Sequence, residues 1–179
     1  MREPTIARNY AEALFAAGER TGDTLRFAEL LEAVAGAVAA DDRIRLSLES
    51  PRVPKTRKLD ILEKALAGRA PGPFIRFMVG VVKRGRQGLL SAISTQYLGL
   101  VDVKLNRVHA AVTLARKPDP ALVESIRRGL SEIIGKDVVP HVRTDPRIIG
   151  GVIVQIGDRI MDGSIRRRVL ALRRQMLGA

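Results

Sequence analysis

The chain has 179 residues, 46% hydrophobic and 28% charged, a length that suits one domain or two small ones and a composition that excludes wholesale disorder. Lysine and arginine total 31 against 19 acidic residues, a formal net charge of +12, so the surface attracts anions: nucleic acid, acidic lipid headgroups or acidic proteins. The absence of cysteine excludes disulfides, thiolate nucleophiles, iron–sulfur clusters and Cys-ligated zinc.

With aromatic residues at 3% and no Trp, the cores must be built from Leu, Ile, Val and Ala, which suits helices packing small side chains against large. The longest apolar stretches, Ala33 to Ala40 and Phe77 to Val82, fall far short of the roughly 18 to 20 residues that span a bilayer. The opening MREPTIARNY has no apolar signal core, and Glu3 and Glu12 are unlike an acid-poor transit peptide, so mature sequence is expected from the start.

The first hundred or so residues read as short helices. Ile6, Tyr10, Ala13, Leu14 and Ala17 follow the i, i+4, i+7, i+8, i+11 spacing of one helical face, with Thr5 as N-cap and Gly18 as the stop. Leu25, Ala28, Leu31, Ala35 and Val38 make a second face that ends at Asp41 and Asp42, and a brief third helix carries Ile44 and Leu48. Pro54 opens a fourth with Leu59, Leu62 and Leu66, closed by Gly68. Phe74, Phe77, Met78, Val81 and Val82 form a strongly apolar fifth helix, followed by Lys83, Arg84 and Arg86, cations suited to a helix C-terminus. The sixth runs from about Leu89 to Asn106, with Leu90, Ile93, Tyr97, Val101 and Leu105 on its buried face.

Beyond Arg107 the period becomes two: Val108, Ala110, Val112 and Leu114 alternate with His109, Ala111, Thr113 and Ala115 as a half-buried strand would. A domain boundary is expected here, giving units 1–105 and 106–179. Asp119 caps a helix with Pro120 at its first position and Leu122, Val123, Ile126, Leu130, Ile133 and Ile134 on its apolar side, ending at Gly135. Val138 to Arg143 and Ile148 to Ile156 read as strands, and Gly157-Asp158 turns into Arg159 to Met161. Ser164 caps a final helix whose apolar face is Ile165, Val169, Leu172 and Met176. The expected fold is mainly α: an N-terminal six-helix bundle followed by a small α+β domain.

Catalytic signals are poor. His109 and His141 lie on strands in different segments with no HExxH or Asp/His cluster, which favours structural or solvent-facing roles. There is no GxxxxGK[ST] loop, and Gly150-Gly151, placed on a strand, marks a bulge or a close backbone approach in preference to a dinucleotide loop. Arg166, Arg167, Arg168, Arg173 and Arg174 form either an anion-facing surface or a solvated face. The alternation of small and large side chains at Tyr10, Ala13, Leu14 and Ala17 can close the bundle or leave a groove for a partner helix. The fifth helix is wider in apolar circumference than one bundle contact requires.

Three segments carry a family pattern: ARNYAEALF, SPRVPKTRKLDILEKAL and IIGGVIVQIGDRIMDGSIRRRV from Ile148 to Val169. Together they resemble, end to end, the delta subunit of bacterial F-type ATP synthases, called the oligomycin-sensitivity-conferring protein in mitochondria. The paired glycines, the G-D turn and the D-G-S cap are the most specific part.

The resemblance implies a non-catalytic stator subunit without cofactor or metal, peripheral on the cytoplasmic face of a bacterial plasma membrane. It implies that residues 1–105 bind the N-terminal helix of an alpha subunit on the first and fifth helices, through Tyr10, Ala13, Leu14, Ala17, Phe74, Phe77 and Val81. Residues 106–179 would meet the C-terminal ends of the peripheral-stalk b subunits, with Gly150, Gly151, Gly157, Asp162, Gly163 and Ser164 shaping the fold. Membrane association would be indirect, through the complex.

Lys83-Arg84-Gly85-Arg86 departs from the polar or acidic turn of many relatives, and with the +12 charge it points to an acidic complement on a partner. The same charge motivates the alternative, a basic nucleic-acid-associated protein, although stacking aromatics are nearly missing.

Overall fold

The computed structural model describes residues 3–176 and divides into two compact units, residues 1–101 and 102–179. Among the described residues there are eight α-helices and one four-stranded sheet. The chain is mostly helical, and the sheet lies in its C-terminal part.

The first helices are α1 (Glu3–Thr21), α2 (Thr24–Ala40), α3 (Asp42–Glu49), α4 (Lys55–Leu66) and α5 (Gly72–Lys83). A short 3₁₀ turn, Gln87–Leu89, then leads into α6 (Leu90–Lys104). One core joins Ala7, Ala11 and Leu14 of α1, Phe27 and Leu31 of α2, Leu62 and Leu66 of α4, Phe74, Met78, Val81 and Val82 of α5, and Leu90, Ile93, Tyr97 and Val101 of α6. The six helices expected here are present, but a six-helix bundle closed on one core is not clear: Leu48 of α3 is buried outside this cluster, because Arg43, Arg45 and the exposed Leu46 leave its eight residues little to bury.

The expectations are corrected in three helices. The inward face of α1 is Ala7, Ala11, Leu14 and Gly18; of the expected stripe only Leu14 belongs to it, and Ile6, Tyr10, Ala13 and Ala17 lie about 100° away, a little over a quarter turn. Gly18 does not stop the helix; a Cβ there would lie 3.1 Å from Tyr97 Oη, 3.1 Å from Thr24 Cα and 3.2 Å from the Phe27 ring, so the glycine admits close packing. Thr5 likewise lies inside the first turn. In α2, Leu25 is 55% exposed and Phe27 is fully buried in its stead, completing the i, i+3, i+4, i+7 face Thr24, Phe27, Ala28, Leu31. In α6, Leu105 lies beyond the helix end and is exposed.

Tyr97 spans this core, its hydroxyl donating to Thr24 O at 3.0 Å while its ring meets Phe15 edge-on. Burial, with the charge of Glu19 added, pushes that hydroxyl well above the usual phenol range, so it remains a neutral donor.

The second unit contains β1 (Arg107–Leu114), α7 (Pro120–Ile134), β2 (Asp137–Thr144), β3 (Val152–Ile156), β4 (Arg159–Asp162) and α8 (Ile165–Met176). Its sheet order is β2-β1-β3-β4; β1 and β2 are parallel, joined through α7, and the other pairs are antiparallel. Alternation puts Ala110, Val112, Leu114, Val138 and Val154 on one face, which packs on Ile126, Leu130 and Ile134 of α7. Asp119 caps α7 as expected, accepting from Leu122 N at 2.6 Å, a contact worth about 1 kcal/mol. Leu122 and Ile133, assigned to the apolar side, are exposed, since one sheet face accepts only a narrow stripe.

The strand expected over Ile148 to Ile156 is shorter. Pro146–Ile148 is a 3₁₀ turn, Ile149 takes φ 67°, and β3 begins only at Val152. Gly150 and Gly151 therefore form the turn that precedes the strand.

Candidate functional site

The first candidate surface lies on α1 and α5. On α1 the stripe Ile6, Tyr10, Ala13 and Ala17 borders the core face and stays open: Ile6, Tyr10 and Ala17 are half-buried and Ala13 is exposed. Opposite, Phe77 is half-buried, and its ring meets Tyr10 edge-to-face with centroids 6.2 Å apart at 72°. The three other residues assigned to this surface, Leu14, Phe74 and Val81, are buried in the core of the free chain and support the surface from beneath. Ile6, Asn9, Tyr10, Arg84 and Arg86 line a hollow of about 460 Å³ at one end.

The turn that carries those arginines is built by hydrogen bonds. Arg86 N donates to Val81 O at 2.9 Å and Gly85 N to Val82 O at 3.0 Å, a helix C-terminal motif that needs the left-handed φ of 67° at Gly85.

The second surface is α8. Ser164 Oγ accepts from Arg167 N at 3.2 Å and so caps the helix, while Asp162 Oδ1 accepts from Ser164 N at 2.9 Å. The Ser164 hydrogen bonds hold the Asp162 carboxyl below the ordinary range. The paired glycines fit against this corner: a Cβ on Gly151, whose φ is 82°, would lie 2.4 Å from Gly163 O, and one on Gly150 would lie 2.6 Å from Ile165 Cδ1. Of the family-motif residues, Gly150, Gly151, Asp162, Gly163 and Ser164 thus converge on one corner, and Gly157 lies apart in the β3–β4 turn.

The apolar face of α8 is open. Ile165, Val169, Leu172 and Met176 are 46%, 52%, 58% and 85% exposed, and Arg166, Arg168 and Arg173 flank the stripe.

Two features escaped the sequence reading. Ile44, Leu48, Ile61, Leu62 and Val34 line an apolar cleft of about 330 Å³ among α2, α3 and α4. The histidines, expected apart, meet: His109 Nδ1 lies 2.7 Å from His141 Nε2 with the rings stacked, and His109 Nε2 lies 3.0 Å from Asp102 Oδ2. Arg107 holds the other Asp102 oxygen at 2.7 Å. These contacts tie the end of α6 to β1 and β2; only the parallel β1–β2 register could have revealed them. Among the described residues, no three His, Cys, Asp or Glu side chains are grouped to hold a metal ion.

The family model described as ATP synthase delta (OSCP) subunit matches residues 6–176. The chain belongs to the ATP synthase delta (OSCP) subunit family. It is 44% identical over 174 residues to the ATP synthase subunit delta of Gemmatimonas aurantiaca, covering 97% of this chain and 94% of that protein. It is 34% identical over 176 residues to that of Chlorobium luteolum, covering 98% and 97%. A chain in the cryo-EM structure of the Toxoplasma gondii mitochondrial ATP synthase hexamer shares the fold, with TM-score 0.66 and 19% identity over 96% of this chain and 97% of that one.

The family makes the chain a structural subunit that associates with the rest of the ATP synthase as a peripheral component. No helix among the described residues is long and apolar enough to cross a membrane. The alternative drawn from the +12 charge, a nucleic-acid-associated protein, gains no support from these relatives.

Proposed function

We propose that this chain is the non-catalytic stator link of the F-type ATP synthase, holding the N-terminus of an alpha subunit on residues 1–105 and the C-termini of the b subunits on residues 106–179. The observation that carries the reading is the open stripe of Tyr10, Ala13, Ala17 and Phe77 over a closed core, in a chain that belongs to this family. Residues 1–105 act as the six-helix bundle the resemblance implies, with α1 and α5 forming its docking groove. The second apolar surface, the stripe on α8, supports a separate site for the stalk, and its flanking arginines favour acidic residues beside the apolar contacts of the b segment.

Rotation of the central shaft drags the catalytic head with it unless a tether resists, so binding under load is the activity. Burying each Leu- or Phe-sized side chain contributes roughly 1.5 to 3 kcal/mol, so a few in one groove reach micromolar affinity or better after the entropic cost of association. Two sites on one chain then raise effective concentration, and loss of either weakens the assembly by more than its own affinity. Such a chain works without cofactor, metal or nucleic acid, on the cytoplasmic face of the bacterial plasma membrane.

Calorimetric titration of the full chain with a synthetic peptide of the alpha N-terminus tests the groove. Tyr10→Ala and Phe77→Ala should each weaken binding at least about tenfold while the helical signal and melting of the first unit change little. Unchanged affinity in both folded variants would remove the assignment.

A further inference from the structure

The groove on α1 and α5 is apolar along its length and cationic at one end. Phe77 and Arg84 are seven residues apart, so the arginine continues the line that Phe77 begins on α5. Arg86, two residues on, is brought to the same end by the capped turn, and both side chains border the hollow that also touches Ile6, Asn9 and Tyr10. Both arginines are exposed, and no carboxylate lines the hollow. Of the α1 carboxylates, Glu12 is already bonded to Arg8 at 2.8 Å.

We infer that Arg84 and Arg86 form a carboxylate-reading end to the groove, so that its partner is an amphipathic helix carrying Asp or Glu on the turn that overlies the C-terminal end of α5. This rests on the groove reading above and adds to it the partner's charge pattern and its register. Apolar residues between Tyr10 and Phe77 supply affinity, whereas a stripe of one width would let a helix slide by a turn or dock reversed. A charged pair at one end penalises those alternatives, since a guanidinium left facing apolar or basic groups loses its water without gaining a partner. The cost to the free chain is small because exposed arginines stay hydrated.

The test uses the full chain and two probes: a synthetic peptide of the alpha N-terminus, and the same peptide with every Asp and Glu replaced by Asn and Gln. At about 0.05 M salt the double variant Arg84→Gln, Arg86→Gln should bind the acidic peptide about tenfold or more weakly than wild type, with the gap closing at about 1 M salt, where screening acts within about 3 Å. The amide peptide should bind both proteins alike. Because Arg86 makes its turn bond through the backbone, the variant retains the fold, which its melting curve checks.

Equal affinity of wild type and double variant for the acidic peptide at low salt, with Phe77→Ala still weakening it, overturns the carboxylate end and leaves the groove standing. Discrimination between wild type and variant that survives on the amide peptide also overturns it. No binding of either peptide by wild type removes the groove and this inference together.

Discussion

Gly151→Ala will unfold the second unit and leave the first one folded. The added methyl group would sit 2.4 Å from Gly163 O, a backbone atom that cannot swing away, at a φ of 82° that an L-residue adopts only with strain. The neighbouring Gly163 N donates to Val152 O at 2.9 Å and Ile165 N to Gly150 O at 2.9 Å, so relief would break the joint between β3, β4 and α8. The expected loss is about 3 kcal/mol or more, a large part of the stability of so small a unit. Amide hydrogen exchange reads it directly: protection in β1 to β4 should collapse while the helices of residues 1–101 keep theirs. Protection retained in β3 and β4 would mean the corner relaxes in a way the close contact does not suggest. Gly157→Ala, where nothing lies within 4 Å of the added Cβ, is the milder comparison, strained by its φ of 55° alone.

The second large effect is on binding. Val169→Asp combined with Leu172→Asp should abolish capture of a segment from the b C-terminus, by more than about a hundredfold, because two apolar contacts each worth roughly 1.5 to 3 kcal/mol are replaced by charges that must be desolvated. Both side chains are more than half exposed in the free chain, so folding stability should move by only about 0.5 kcal/mol. Surface-immobilised b segment titrated with the variant and with wild type measures this. Equal binding by a folded double variant would show that the stalk contacts another surface of the unit.

What the sequence made legible follows from which physical signal each element carries. Caps and breakers gave Asp119 and Ser164 correctly, since a cap is a local bond between residues two or three apart. Periodicity gave the helices and the inward faces of α5 and α6, but on α1 it misjudged which neighbouring face is inward. On α1 three of the four inward positions are Ala7, Ala11 and Gly18, small residues that count little in a hydrophobic pattern, and at Gly18 the missing side chain lets Phe27 and Tyr97 approach. Ile6, Tyr10, Ala13 and Ala17 of the expected stripe border that face and stay open, which is what supports the proposed groove.

On α8 the same pattern was read correctly as apolar, yet a period cannot say whether anything covers it. Ile148 to Ile156 read as one strand because β-branched residues dominate; the positive φ at Ile149 and Gly151 breaks it, and only backbone geometry records that. His109 and His141, 32 positions apart, meet through a strand register that no local signal encodes.

The central claim is that one chain holds two partners at once. Analytical ultracentrifugation of the full chain with a synthetic peptide of the alpha N-terminus and a soluble segment of the b C-terminus, each labelled in a separate colour, tests it most directly. The account predicts that both labels co-sediment with the chain in a ternary complex, that Phe77→Ala releases only the alpha peptide, and that the α8 double variant releases only the b segment. Mutual displacement of the two labels, or sedimentation of neither with the chain, would contradict it.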